Sequence, residues 1–566
     1  MIDLHPKGTI CPFLKKHFFV KSGSQKTFLT IKNIFYDLIS FAAKLDLSVD
    51  NAARICYNIE RTVIISHLAK GATAGMDILA FDQGTTSSRS IIFDTAGNAL
   101  AVAQLPLKQY YPKPGYVEHD PEEILSAQLE TARICIEKLG EKPSCIGITN
   151  QRETVTLWNK HTGKPVFPAI VWQCRRTADI CERLKAEGHA DYIKKTTGLP
   201  VDAYFSGTKI SWILENVEGV REAALRGDIL CGTVDSWLIW NLTGKHMTDV
   251  TNASRTMLFD IHRKCWDEKL CEILGIPMNI LPEVAENIAD FGSVIESENI
   301  PRELVGIPIC ASAGDQHAAL FGQTCYTPGD VKNTYGTGCF TLMNTGEIPV
   351  SSQNLITTIG WSYNGKTLYA LEGSVFNAGS AIQWLRDELK MISSSREADI
   401  LAESVPDCGG VTCVPAFTGL GSPYWDMYAR GSILGLTRGS SRAHICRAVL
   451  EGIAFQVYDL ISEMEKDSGN KIKTLYVDGG ASVSNFMMQF QSDILGIKVD
   501  RPANVETTAL GAAMMAALGA GLVSEDSLTS LRETEREFLP IASEKERDEH
   551  TSRWKKAVST TQKYEF

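Results

Sequence analysis

The sequence predicts a two-domain α/β protein with a cleft between its domains. Three observations carry that expectation: a length of 566 residues, a strand–turn–strand stretch rich in Thr and Ser around residue 85, and a second stretch of the same plan about 250 residues later. A chain of this length exceeds the size at which a single hydrophobic core keeps growing, so it divides. Apolar content of 44% and charged content of 22% are those of an ordinary globular protein. The net charge of −11 argues against nucleic acid as the main partner but leaves room for an anion in one local pocket.

Residues 1–75 differ in texture from the rest of the chain. The first forty or so carry several lysines and few acids, and Phe28 to Leu45 can form an amphipathic helix. A mitochondrial presequence would favour Arg, yet the first arginine is Arg54. Met76 stands immediately before the first convincing strand, so residues 1–75 are expected to lie outside the main fold, and a translation start at Met76 would account for them.

The apolar runs Ile78 to Phe81 and Ile91 to Phe93 read as two strands of a hairpin. Between them Gly84 allows close backbone approach, and Thr85, Thr86, Ser87 and Ser88 offer hydroxyl and backbone N–H donors to anionic oxygens. Arg89 adds a planar cation suited to phosphate and Asp82 a hard carboxylate suited to Mg²⁺. The same composition also suits a hydrated turn between core strands. Ala99 to Pro106 makes a third strand, and Asp120-Pro121-Glu122-Glu123 starts a helix running to Leu139, with Asp120 as N-cap and Glu123 placed to complete a capping box.

Cys145 to Thr149 is a buried strand ending in Asn150-Gln151-Arg152-Glu153-Thr154. Polar residues directly after a strand are where α/β proteins place their sites. Ala169 to Arg176 reads as a strand running into a helix with Trp172 at the junction, and Tyr204 to Lys209 opens the helix that holds Trp212. Ile307 to His317 repeats the strand-then-polar-turn plan, with Asp315 a candidate acid or base and His317 a structural histidine.

Val331 to Met343 repeats the opening hairpin around Gly336-Thr337-Gly338, which suggests a duplicated domain and a boundary near Gly322 to Asp330. Thr474 to Asp478 is a strand ending in Asp478-Gly479-Gly480, followed by a helix from Asn485 to Leu495; the glycine pair permits approach of a flat ligand. Ala509 to Val523 is apolar but too short to span a bilayer and reads as a packed helix. Gly360 to Thr367 matches the Walker A pattern letter for letter, yet Asn364-Gly365 between two strand-like runs is a hairpin signal, and bulky Trp361 and Tyr363 do not suit a phosphate cradle. The fifteen cysteines show no C-x-x-C pair or zinc-ligand spacing, as expected of free thiols in a reducing cytoplasm.

In this order, Phe81 to Arg89, Gly147 to Thr154, Trp172 to Thr177, Tyr204 to Lys209, Gly314 to Gln316 and Asn333 to Phe340 resemble the FGGY family of carbohydrate kinases, and within it the members that phosphorylate glycerol. Gly431 to Leu436, with His444, Ile445 and Glu451, is similar to that family's C-terminal signature. The resemblance runs from about Met76 to about Ala557. It implies two actin/Hsp70/hexokinase-like, ribonuclease H-like ATPase domains with the cleft between them, here residues 76–328 for glycerol and phosphate and 329–557 for nucleotide. It further implies ATP and Mg²⁺, a cytoplasmic enzyme with no nucleic-acid partner and no transmembrane segment, and compatibility with a homo-oligomer.

By the same resemblance, Arg152, Glu153, Tyr204, Asp315 and Gln316 would hydrogen-bond the glycerol hydroxyls, Trp172 and Phe340 would wall the carbon chain, and Asp315 would be the general base. Asp82 would help hold Mg²⁺; Thr85, Thr86, Ser87, Arg89 and Thr337 would line the phosphates; Gly379, Gln383 and Gly480 would lie along the nucleotide. The family often has Asn six positions after the Asp of the Asp-Gly-Gly strand end, where this chain has Ser484 followed by Asn485. Another polyol or ketose kinase of the family is the nearest alternative, and an ATPase with a purely conformational output the alternative from another class.

Overall fold

The computed structural model describes residues 76–563. The expected amphipathic segment and everything else anticipated for residues 1–75 lie outside the described residues.

Two sheets organise the described chain. The first has five strands in the order Ile309–Gly314, Cys145–Asn150, Ile78–Gln83, Ser87–Phe93, Ala99–Pro106. Ile78–Gln83 pairs antiparallel with Ser87–Phe93 and parallel with Cys145–Asn150. The second has seven strands, in the order Ile356–Tyr363, Lys366–Val375, Cys339–Gly346, Val331–Tyr335, Thr474–Asp478, Lys498–Pro502, Thr534–Phe538. Val331–Tyr335 pairs antiparallel with Cys339–Gly346 and parallel with Thr474–Asp478. Five strands of each sheet thus share one order and one set of directions, two antiparallel pairings followed by two parallel ones. That is the duplication the two hairpins suggested.

The first strand shows why the chain buries both faces of this sheet. Successive side chains of a strand point to opposite sides. Leu79 and Phe81 pack into a cluster with Ile124, Leu129 and Ile136 of the helix Pro121–Leu139. Ile78 and Ala80 pack instead with Ala509, Ala513 and Met514 of the helix Thr507–Gly519. This late helix therefore closes a sheet whose strands all come from the first half of the described chain, residues 78–314. Small residues make the approach possible: a Cβ on Gly147 would lie 2.2 Å from the Ala512 carbonyl oxygen, and one on Gly511 would lie 1.8 Å from that of Ala318.

Two local expectations need correction. Asp120 caps the helix Pro121–Leu139, accepting from the Glu122 amide at 2.9 Å, but the capping box does not close. Glu123 instead accepts from the amide of Lys108, 3.1 Å away, tying the helix start to the incoming chain. The strand before Trp172 is only Ala169–Ile170, and the next helix begins at Ala178. Trp172 sits in the intervening turn, which the Cys174 amide closes on the Val171 carbonyl at 2.9 Å. The Walker-like stretch is a hairpin, with Asn364 at φ 52° and Gly365 at φ 77° between paired Tyr363 and Lys366. Among the described residues every cysteine is free, and no helix is long and apolar enough to cross a membrane.

Candidate functional site

The first hairpin presents a charged edge. Asp82 and Arg89 stand directly opposite in the register, and Arg89 Nε donates to Asp82 Oδ2 at 3.1 Å. Arg89 also pairs with Glu506, 2.5 Å away, just before the helix Thr507–Gly519. The cation expected to meet phosphate is therefore already held by two carboxylates. In the turn, Thr85 Oγ1 accepts from Trp172 Nε1 at 2.9 Å and Ser87 Oγ accepts from Gln104 Nε2 at 2.8 Å. A hydroxyl that accepts inward keeps its own proton for an outward acceptor. Thr86 is exposed.

The second hairpin is built from backbone. The Gly336 amide donates to Gly338 O at 2.9 Å, and Thr337 O receives the amides of Ala378 at 2.8 Å and Ser380 at 3.1 Å. The loop thus sits on the first turn of the helix Gly379–Asp387. Glycine is required here: a Cβ on Gly379 would lie 2.6 Å from Gly336 O, and one on Gly338 would lie 2.2 Å from Val375 O. Thr337 and Gln383 are exposed around this contact. Gly479, at φ 85°, abuts the base of the hairpin, where a Cβ would lie 2.6 Å from Tyr335 O. Gly480 beside it is exposed, with no atom within 4 Å of a Cβ built there. Ser484 is committed to Asp399 at 2.6 Å and to the cap of the following helix, while Asn485 Oδ1 accepts from Arg501 at 3.0 Å.

Between the hairpins lies a cluster of buried charge. Arg152 and Glu153, adjacent at a strand end, are not a surface pair. Both side chains are 2% exposed, and their nearest charged atoms stand 3.9 Å apart. Arg152 Nε instead faces Asp315 Oδ1 at 3.1 Å, while its two terminal nitrogens donate to Glu372 at 2.6 and 2.9 Å. Arg255 bridges Glu153 at 2.6 Å and Glu372 at 3.1 Å. Glu153 takes a left-handed φ of 59°, an unusual backbone for a non-glycine residue. Trp172 meets Tyr204 edge-on at 5.6 Å between ring centroids and Phe340, from the second sheet, at 6.4 Å. Of the expected acceptor residues, the contacts bring together Arg152, Glu153 and Asp315 as one group and Trp172, Tyr204 and Phe340 as another, with Arg255 lying 5.6 Å over the Tyr204 ring to join them.

The electrostatics separate the carboxylates. Burial pushes the Glu372 carboxyl up, but Arg152 and Arg255 outweigh it and hold it down at about 2. Burial raises Asp315, and Arg152 and Lys332 pull against that rise without cancelling it. Asp315 keeps 32% of its side chain exposed, so it is the member of the cluster open to a ligand. His317 is fully buried, with neither ring nitrogen hydrogen-bonded, and burial together with nearby Arg152 holds it neutral. No group of three or more His, Cys, Asp or Glu residues arranged for a metal occurs among the described residues.

Sequence reasoning did not find Arg255, Glu372, Lys332 or Glu506. The one local signal was a charge within a strand, Glu372 in Lys366–Val375 and Lys332 in Val331–Tyr335.

The chain is similar to known proteins over most of its length. Residues 77–322 match the N-terminal domain of the FGGY family of carbohydrate kinases and residues 331–520 its C-terminal domain. The chain is 56% identical over 491 residues to glycerol kinase 2 of Thermotoga maritima, covering 85% of this chain and 98% of that protein. It is 54% identical over 496 residues to a glycerol kinase of Halorhodospira halophila, covering 86% and 97%. Among solved structures, Plasmodium falciparum glycerol kinase with ADP superposes with a TM-score of 0.82 at 40% identity, covering 86% of this chain and 98% of that one. A ligand-bound xylulose kinase from Lactobacillus acidophilus, at 23% identity and a TM-score of 0.76 over 86% and 97%, shares the fold.

Proposed function

Because the chain belongs to the FGGY family of carbohydrate kinases, we propose that it transfers the terminal phosphoryl group of ATP to a terminal hydroxyl of glycerol, giving sn-glycerol 3-phosphate and ADP. The observation that carries this reading is the acceptor cluster itself, Arg152, Glu153 and Asp315 beside Trp172, Tyr204 and Phe340, in a chain that keeps 56% identity to a glycerol kinase over nearly that protein's full length. Three adjacent hydroxyls need several fixed polar partners, and a site so built penalises ligands that leave them unpaired. The clustered rings of Trp172, Tyr204 and Phe340 would wall a short carbon chain.

Phosphoryl transfer asks the protein mainly for positioning and charge stabilisation. Asp315, the most open carboxylate of the cluster, takes the proton from the attacking hydroxyl. The new O–P bond forms as the bond from the terminal phosphorus to the β,γ-bridging oxygen breaks, and ADP leaves with that electron pair. Arg152, anchored by Glu372, orients the acceptor and faces the base. Thr85, Thr86 and Ser87 line the phosphates from one side and the Gly336–Gly338 loop from the other, with Gly379, Gln383 and Gly480 along the nucleotide. Arg89 joins the phosphates by exchanging Glu506 for them. Asp82 uses one oxygen on Arg89, and a single carboxylate fits an ion carried mostly by phosphate and water. Mg²⁺ held there would neutralise charge on the transferring group. The free thiols of the described chain support a cytoplasmic setting.

A coupled ATP assay with glycerol, dihydroxyacetone, xylulose and ribulose tests the reading. Glycerol is expected to give the highest kcat/KM. A clear preference for a pentulose would move the assignment to another member of the family, and acceptor-independent ATP hydrolysis would remove it from kinases altogether.

A further inference from the structure

Lys332 is the second residue of the strand Val331–Tyr335, with none of its surface exposed. Its ammonium donates to Gln316 Oε1 and, at 2.9 Å, to Thr334 Oγ1. Both partners are neutral, and among the described residues no carboxylate forms an ion pair with it directly. A buried cation left in that state is costly unless something nearby uses its charge. Gln316 is the chain neighbour of Asp315, and both open the helix Asp315–Gly322 on the acceptor side of the cleft. The lysine belongs to the second sheet and the helix to the first half of the chain, so the contact joins the two halves.

Resting on the kinase reading above, we propose that Lys332 is a positioning residue for phosphoryl transfer. It fixes the Gln316 side chain by its carbonyl oxygen, leaving the amide NH₂ to the acceptor, and adds to that of Arg152 a second positive charge on the Asp315 side of the site. The surroundings support this division of labour. The charged groups around Lys332 are Asp478 on the strand Thr474–Asp478, Asp315 on the helix it touches, Arg152 after the strand Cys145–Asn150, and Glu372 on the strand Lys366–Val375. Asp478 is already engaged by Gln323 and Thr507, each at 2.7 Å. Glu372 is saturated by Arg152 and Arg255. His317 lies buried on the same helix and stays neutral. Of the nearby carboxylates, Asp315 alone is part-exposed and lacks an arginine fork of its own. Burial lowers the Lys332 ammonium to about 8, so it remains charged through neutral pH, and its field opposes the burial that raises Asp315.

The test is the pH profile of glycerol phosphorylation by Lys332→Met and Lys332→Gln, with thermal unfolding and glycerol binding followed by the fluorescence of the site tryptophan. A base must be unprotonated to accept the hydroxyl proton, so activity falls on the acid side of its pKa. Removing the lysine charge raises that pKa further. The acid limb of kcat/KM is expected to move up by about one pH unit, an about tenfold loss below the limb that closes as pH rises. Lys332→Gln, which can still hydrogen-bond Gln316, should keep the native KM for glycerol, whereas Lys332→Met should raise it. A loss of activity equal at every pH, or an unmoved acid limb in folded protein, would overturn the proposal. So would failure of both variants to fold, which would assign Lys332 to the fold. If the unsubstituted protein does not phosphorylate glycerol, it is the kinase reading that fails.

Discussion

The two hairpins share a topology and differ in what they offer. In the first, Gln83 and Ser88 close the turn, Asp82 and Arg89 face each other one pair further along, and the loop carries hydroxyls. In the second, Tyr335 and Cys339 close the turn, the pair one further along is the uncharged Thr334 and Phe340, and the loop is backbone drawn tight against the helix Gly379–Asp387. One half of the cleft therefore works by side-chain charge and the other by fixed amides and open glycine. The repeated strand order is the shared frame, and on the kinase reading proposed above the first half would carry catalysis and the second the nucleotide.

The comparison breaks most readily at Asp315. Asp315→Asn is expected to lower kcat by roughly 10²–10⁴, the range for loss of a general base, with the KM for ATP little changed. An equal loss of nucleotide affinity, measured by calorimetry, would mean that the two halves do not divide their work. Glu372 is the exception that joins them, a carboxylate of the second sheet buried between two arginines of the first half. Glu372→Ala takes from Arg152 the partner of both its terminal nitrogens and from Arg255 one of its two carboxylates, and should destabilise the protein by about 3–5 kcal/mol in urea unfolding. Its pH dependence has a definite sign. A carboxyl held down at about 2 contributes stability above the ordinary carboxylate range and loses it as pH falls from about 4.5 toward 2. The alanine variant should be flatter over that interval, and an unchanged slope would detach Glu372 from acid stability.

These two residues also show what the sequence could tell. The strands around residues 78–93 and 331–346 were legible because apolar runs bounded by Gly, Thr and Ser are local signals. So were the Asn364-Gly365 turn, the Asp120 cap and the strand end at Asp478. Arg152, Glu153 and Asp315 stood out because each comes after a buried strand. Glu372 did not, since its partner Arg152 is 220 residues away and Arg255 is 117 away. A lone charge in a strand has no local pattern that names its counterion. The helix Thr507–Gly519 was readable as packed from its composition, but composition does not say which sheet it packs on; the glycines that let Ala318 and Ala512 come close decide that.

Gly480→Ala sharpens the backbone side. A methyl there meets no protein atom within 4 Å, so the melting temperature should not change. The KM for ATP should rise severalfold, because only a nucleotide would be touched. An unchanged KM would take Gly480 out of the nucleotide site.

The smallest expected effect lies at the ion pair that ties the charged hairpin to the second half of the chain. Glu506 is 40% exposed and Arg89 21% exposed, so their ion pair is largely open to water and salt. Glu506→Gln should therefore alter stability by less than about 1 kcal/mol. Its effect on phosphate binding has a direction nonetheless. Arg89 cannot direct the same nitrogen at Glu506 and at a phosphate oxygen, so removing the carboxylate frees a donor before ATP arrives. The KM for ATP is expected to fall slightly, and the difference from the unsubstituted protein to shrink as ionic strength rises. A rise in KM that persists in high salt would mean that Glu506 orients Arg89 toward the phosphates, and the ion pair would then belong to the binding surface and not to its resting state.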